Sequence, residues 1–251
     1  MELNQKQQQA RSKLCLALDN IKTINELEET VNELSPAVGL FKIGKETFTR
    51  LGSEAVKLVQ RCDANVFLDL KYHDIPNTVK GASSAATEMG VYMFNVHCTG
   101  GLEMMKAAVA GAKEAAERNN IKKPKIIGVT LLTSIDNVIL NKELLVGKEV
   151  NEYVLHLAKM AQEAGLDGIV CSANDLDFLR AHFPEEFMFV TPGIKGVSTS
   201  AGADQKRVSS PSGAINAGSS ILVVGRAITN APDRLKAAYE IIEDMEKEIL
   251  S

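Results

Sequence analysis

From residue 13 onward, short runs of Val, Ile, Leu and Phe alternate with longer segments whose apolar positions recur at helical spacing. The runs fall near 13–19 (KLCLALD), 38–43 (VGLFKI), 65–71 (NVFLDLK), 91–97 (VYMFNVH), 125–132 (KIIGVTLL), 168–172 (GIVCS), 187–191 (FMFVT) and 220–225 (SILVVG). Such continuous apolar character suits strands of a parallel sheet covered on its outer face. Between the runs, Thr23-Ile24-Asn25-Glu26 fits a capping box before LEETVNEL. Segments 102–116 and 150–164 are rich in Ala, Leu, Met, Glu and Lys, which favour helix. The last segment, 232–249, opens on Pro232 and carries Leu235, Tyr239, Ile242 and Met245 on one helical face.

Eight strand candidates, each followed by a helix candidate, imply parallel βαβ units. Eight such units in 251 residues predict an α/β protein built as a single (β/α)8 barrel. No linker or composition shift marks a second domain, so residues 1–251 are expected to form one unit. Residues 1–12 are polar and are expected to be a short N-terminal extension packed on the surface. A doubly wound sheet is the competing architecture. It is disfavoured because no GxGxxG follows the first run and no P-loop occurs.

Composition narrows the setting. The net charge is −4, which gives no general drive toward a nucleic acid polymer or an acidic membrane. No apolar run reaches 18 residues, and the first residues lack the apolar core of a secretion signal. Cys15, Cys62, Cys98 and Cys171 have no CxxC spacing, which argues against a zinc site and a disulfide framework. The expected compartment is therefore a reducing cytoplasm. Charge runs such as 26–33, 113–125 and 243–248 read as solvated helix faces.

In a barrel of this kind the chemistry sits at the C-terminal ends of the strands. The charged residues there are Asp19 after the first run, Lys42 inside the second, and Asp69, Lys71 and Asp74 on and after the third. Side chains alternate along a strand, so Asp69 and Lys71 share the face opposite Leu68 and Leu70. The leucines would meet helices, leaving the charged pair pointing into the barrel mouth. Charges there are expensive unless paired, and barrel interiors are normally filled by branched apolar residues. A cluster at the rim therefore reads as chemical, although an ion-pair network that only fixes packing is the plainer alternative. The loop after the seventh run (GIKGVSTSAGADQKR) is long and rich in Gly and Ser, which makes it a candidate lid. Gly225 and Arg226 end the eighth run, where barrels often hold phosphate. The segment SSPSGAINAG is a helix start that can point N–H groups at the same anion, although a mobile surface loop beside a stray arginine explains the same residues. His73 and His97 lie near strand ends but make a poor metal site without a shared carboxylate pattern. His156 and His182 fall in helix candidates, and Cys98 has no obvious activating partner.

The string Asp69-Leu70-Lys71-Tyr72-His73-Asp74-Ile75-Pro76-Asn77-Thr78-Val79 resembles the orotidine 5′-phosphate decarboxylase family. So do LALD ending at Asp19, FKIG around Lys42, VTLLTS ending at Ser134, VTPGI at 190–194, Asp204-Gln205-Lys206-Arg207, and VVGRAI at 223–228. The likeness runs from about residue 13 to the C-terminus in the right order. It implies decarboxylation of orotidine 5′-monophosphate (OMP) to uridine 5′-monophosphate (UMP) with release of CO2, the last step of de novo pyrimidine nucleotide synthesis. It implies no metal and no organic cofactor. It matches Lys42, Asp69, Lys71 and Asp74 to an alternating catalytic array in which Lys71 protonates C6 and Asp69 sits against the departing carboxylate. Lys42 and Asp74 would hold the array and reach the ribose hydroxyls. Asp19 matches a ribose contact and Ser134 a contact to the base. Gln205, Gly225 and Arg226 match the phosphate site, with Pro192 also lining the substrate. The same resemblance implies a homodimer with shared active sites, in which Asp74 and Thr78 serve the partner subunit. Lys195 stands where arginine is expected after PGI, and Ala227 where proline often follows GR.

Two rivals fit parts of this pattern. Related phosphosugar decarboxylases and aldolases also carry DxKxxD on the third strand and use it with magnesium; the TPGI, DQKR and LLTS strings favour the nucleotide enzyme. A catalytically silent, phosphate-binding barrel is the other, and a binder has no need of so costly a charge cluster.

Overall fold

All eight apolar runs become parallel strands: β1 (Leu14–Ala17), β2 (Leu40–Gly44), β3 (Asn65–Tyr72), β4 (Met93–His97), β5 (Lys125–Val129), β6 (Gly168–Val170), β7 (Met188–Pro192) and β8 (Ile221–Val224). They pair in chain order, and β8 pairs back onto β1, closing the barrel. The computed structural model describes residues 3–194, 196 and 209–249.

The two faces of each strand serve different cores. Cys15, Ala17, Leu40, Phe67, Met93, Ile127, Val190, Ile221 and Val223 form an apolar plug inside the barrel. The alternate residues, among them Leu16, Phe41, Leu68, Phe94, Ile169, Phe189 and Leu222, pack outward against the helices. Fully burying a side chain of this size contributes about 1.5–3 kcal/mol, so alternation fixes which face turns inward. The strand after each plug residue continues toward the mouth, and there the inward positions change from apolar to polar: Lys42 after Leu40, Asp69 and Lys71 after Phe67, Asn95 after Met93.

The first residues depart from a simple surface extension. Gln5–Lys13 is a helix, closed at its start by a reciprocal capping box between Asn4 and Gln7. It packs on the last helix, Arg234–Glu246, with Ala10 fully buried and Asn4 Nδ2 donating to Glu246 Oε1 at 2.8 Å. Gly39 lies so close to its end that a Cβ there would come within 2.4 Å of the Arg11 carbonyl oxygen. One small apolar residue in an otherwise polar stretch is enough to seat this helix, and that signal is weak in sequence.

Three local expectations shift by a residue or two. Thr23 caps Ile24–Leu34 by accepting from Glu26 N at 3.2 Å, but Glu26 closes onto the Lys22 N–H at 2.8 Å, so the reciprocal half of the box moves one residue upstream. The last helix starts at Arg234 because the Asp233 carboxylate caps it, leaving Pro232 outside. His182 lies in the turn after the helix Leu176–Arg180, its Nδ1 paired with the Phe178 carbonyl at 2.8 Å.

Candidate active site

β3 is the longest strand and carries an irregularity at its C-terminal end. Leu68 pairs with Phe94 and Tyr72 with Val96, so Asp69, Leu70 and Lys71 together face the single residue Asn95. Lys71 takes up the excess with a left-handed backbone, φ 52°. For a residue with a Cβ that conformation costs roughly 1–2 kcal/mol, and bulges of this sort often re-aim side chains beside active sites.

The result is a chain of alternating charge across three strands. Lys71 Nζ lies 2.5 Å from Asp69 Oδ1, and Lys42 Nζ lies 3.2 Å from Asp69 Oδ2. Lys42 also reaches Asp19 Oδ1 at 3.1 Å. Asp69 and Lys42 are buried, Lys71 is a quarter exposed and the Asp19 side chain is about half exposed. The cluster thus runs from the barrel interior to open solvent. A Cβ at Gly44 would come within 3.0 Å of Asp19 Oδ1 and 3.1 Å of Lys42 Nζ, so a bare backbone there leaves room for the pair.

Burial alone would raise the Asp69 pKa, but Lys42 and Lys71, with hydrogen bonds from Lys71 and Asn95, outweigh it and hold the carboxyl below its usual range. Burial would likewise lower Lys42, and Asp69 with Asp19 reverse that, holding the ammonium above its ordinary value. The pair is therefore charged at neutral pH. A buried carboxylate this well partnered escapes most of the desolvation penalty.

His97 follows Asn95 on β4, its ring 5.3 Å from that of His73. Partial burial, then the neighbouring His73, Lys45 and Lys71, push its pKa down to about 4. It is accordingly neutral in a mouth already rich in cations. Among the described residues, no group of three His, Cys, Asp or Glu side chains is placed to hold a metal ion. Cys98 is buried, which pushes its thiol up to about 12 and makes it a poor nucleophile.

On the other side of the mouth, Pro192 pairs with Val223 across β7 and β8. Gly225 follows β8 with its Cα side facing Ala17, and Arg226 opens the short helix Arg226–Thr229, exposed to solvent. Ile194 and Ser209 bridge to one another; most of the candidate lid, at 195 and 197–208, lies outside the described residues.

The profile of the orotidine 5′-phosphate decarboxylase / HUMPS family matches residues 12–241. The chain belongs to that family. Proteins named orotidine 5′-phosphate decarboxylase from Syntrophus aciditrophicus and Pseudoalteromonas translucida are similar to it. The first is 45% identical, covering 93% of this chain and 92% of its own; the second is 48% identical, covering 86% and 90%. Among solved structures, the orotidine 5′-phosphate decarboxylase of Lactobacillus acidophilus superposes with a TM-score of 0.81 at 34% identity, covering 92% of this chain and 98% of its own.

Against the orotidine 5′-phosphate decarboxylase pattern, the fold brings together Asp19, Lys42, Asp69 and Lys71, and gathers Pro192, Gly225 and Arg226 at the ends of neighbouring strands. Ser134 sits exposed in the turn after β5. Asp74 and Thr78 stand apart from the cluster within one chain: the Asp74 carboxylate accepts from the Ile75 N–H at 2.7 Å, and both residues lie in the exposed stretch 73–78. Gln205 and Lys195 lie outside the described residues. The residue that sequence reasoning passed over is Asn95. Its only signal was an amide at an inward position of a strand otherwise apolar inside.

Proposed function

We propose that this chain decarboxylates OMP to UMP and CO2, the closing step of de novo pyrimidine nucleotide synthesis. The observation that carries the reading is the Lys42–Asp69–Lys71 chain, charged and paired, at the open end of a barrel from this family. In the reaction, the bond from C6 to the carboxylate breaks and its electron pair stays on the ring carbon. The Lys71 ammonium stabilises that charge and delivers its proton to C6, and solvent later restores it. Asp69 orients Lys71 and faces the departing carboxylate. Lys42 keeps Asp69 ionised and, with Asp19, meets the ribose. Ser134 contacts the base. Gln205, the Gly225 backbone and Arg226 hold the phosphate, with Pro192 beside them.

The working unit is a homodimer in which Asp74 and Thr78 of each chain complete the other's site. The exposed stretch 73–78 supports this, since Ile75 is 67% exposed there and an apolar side chain of that size gains from being covered. The chemistry needs no metal or organic cofactor, because a fixed ammonium supplies both charge and proton. The chain acts on a small nucleotide, not on a nucleic acid polymer or membrane; no helix among the described residues is long and apolar enough to cross one. Four free thiols, three of them buried, support a cytoplasmic setting.

Purified protein incubated with OMP and a metal chelator should deplete the substrate's ultraviolet absorbance. A folded protein that leaves OMP intact, yet acts on phosphosugars when magnesium is added, would overturn the reading.

A further inference from the structure

We propose that Asn95 is a positioning residue of the decarboxylase site, clamping Asp69 and Lys71 into one geometry through the two ends of its amide. The inference rests on the decarboxylase reading and extends it to a residue that acts through Asp69 and Lys71.

Asn95 is 1% exposed and projects inward from β4 at the point where three residues of β3 oppose it. A register jump of this kind strands backbone groups that the ladder would otherwise pair. Asn95 Oδ1 accepts the Lys71 N–H at 2.8 Å, replacing the missing ladder bond at the residue with the left-handed backbone. Its Nδ2 donates to Asp69 Oδ1 at 2.7 Å, the same oxygen that receives Lys71 Nζ. One rigid side chain thus fixes the backbone of the proton donor and the carboxylate that aims it. No other uncharged side chain supplies an acceptor and a donor at this spacing, apart from the longer Gln. A small displacement of a reacting group lowers turnover steeply, by about 100-fold for 1 Å.

The amide also acts on charge. Its N–H stabilises the ionised form of Asp69. The groups facing that carboxylate are Cys15 and, through Lys42, Asp19 from the β1 side, Lys42 from β2, Lys71 from β3, and Asn95 and His97 from β4. Removing the Asn95 donor leaves Lys42 and Lys71 in place, so Asp69 remains charged at neutral pH but protonates at higher pH than before.

The test compares wild type with Asn95→Ala, Asn95→Ser and Asn95→Asp in OMP turnover from pH 4 to 9, together with thermal unfolding. Asn95→Ala should lower kcat by about 10–100-fold with a much smaller change in KM, and should move the acid limb of the kcat profile upward. Asn95→Asp keeps an acceptor for the Lys71 N–H but sets a second carboxylate against Asp69, so its acid limb should move further still. Asn95→Ser keeps a short donor and should recover part of the loss. Variants with lowered thermal stability but wild-type kcat and an unmoved acid limb would overturn the proposal, leaving Asn95 a packing residue. If Asn95→Ala fails to fold, Asn95→Ser and Asn95→Asp decide the question by the same limb. A wild-type protein that does not decarboxylate OMP would instead reject the underlying reading, which separates the two failures.

Discussion

Lys71 and Asp69 rise from the same face of β3, two residues apart, and meet at 2.5 Å although the backbone between them is bulged. Lys71 has a left-handed backbone there, and its ammonium lies against the carboxylate two residues before it. The chemistry proposed for the site depends on that contact, since an ammonium held against a carboxylate is oriented before substrate arrives.

Replacing the ammonium is the most direct consequence. Lys71→Ala should reduce OMP turnover by at least about a thousandfold, because general acid catalysis alone contributes about 10²–10⁴. The fold should survive, since Lys71 is a quarter exposed and Asp69 keeps Lys42 and Asn95. Near-normal turnover in a steady-state assay would reject Lys71 as the proton donor.

The same residue offers a backbone test. At φ 52° a side chain is strained and glycine is not. Lys71→Gly should therefore be more stable than Lys71→Ala by about 1 kcal/mol. Calorimetry on the two inactive variants measures the difference, and equal melting temperatures would mean that the left-handed turn is not retained in solution.

The buried pair sets a pH window for stability. Asp69 is held below its ordinary 3.8, so the folded chain binds that proton more weakly than the unfolded one. Its stabilising effect is complete above about pH 4 and is lost as pH falls through the folded value. Lys42 is held above 10.5, so its share is complete at lower pH and is lost as pH rises beyond that. Lys42→Met should cost about 3 kcal/mol near neutrality, and Lys42→Met with Asp69→Asn less than the sum of the two single changes. Additive losses in thermal or denaturant unfolding would show that the pair is not coupled.

At the phosphate end, Arg226→Ala should lower kcat/KM by about 10–100-fold, the worth of one charge-assisted hydrogen-bond pair. The unfolding temperature should hardly change, since the residue is exposed. Unchanged kcat/KM would remove Arg226 from the phosphate site.

His97 should titrate at about 4 rather than near 6.5, and NMR of its ring protons reads this directly. Because the folded pKa is depressed, its neutral form contributes stability above about 6.5 that is lost as pH falls toward 4. His97→Asn should flatten that part of the stability profile. A ring titrating near 6.5 would mean that the mouth is more open to water than its packing indicates.

Much of this was legible in the sequence. The eight apolar runs became β1 to β8 with ends shifted by at most three residues, and the expectation from alternation that Asp69 and Lys71 lie together agrees with their 2.5 Å contact, although not with the register shift between them. The long string from Asp69 to Val79 pointed to the family that the match over residues 12–241 then established. The helix Gln5–Lys13 was not legible, because its seat rests on a single buried alanine among polar residues. Asn95 was missed for a related reason: one inward amide reads like any polar residue near a strand end until its neighbour strand is known to bulge.

Local patterning along the chain settles the alternation of strand and helix, and which face of a regular strand carries charge. Both follow from local periods, 2 for a strand and 3.6 for a helix, that one segment expresses alone. That Lys42 of β2 joins the carboxylate on β3 to Asp19 beyond β1, and that Asn95 fills the gap in the ladder, comes from the packing of the closed barrel. Register between strands is set when the barrel closes and its apolar plug packs, and no single segment contains that information. Burial is decided at the same step, and burial is what turns the residues at the mouth into a coupled set of charges.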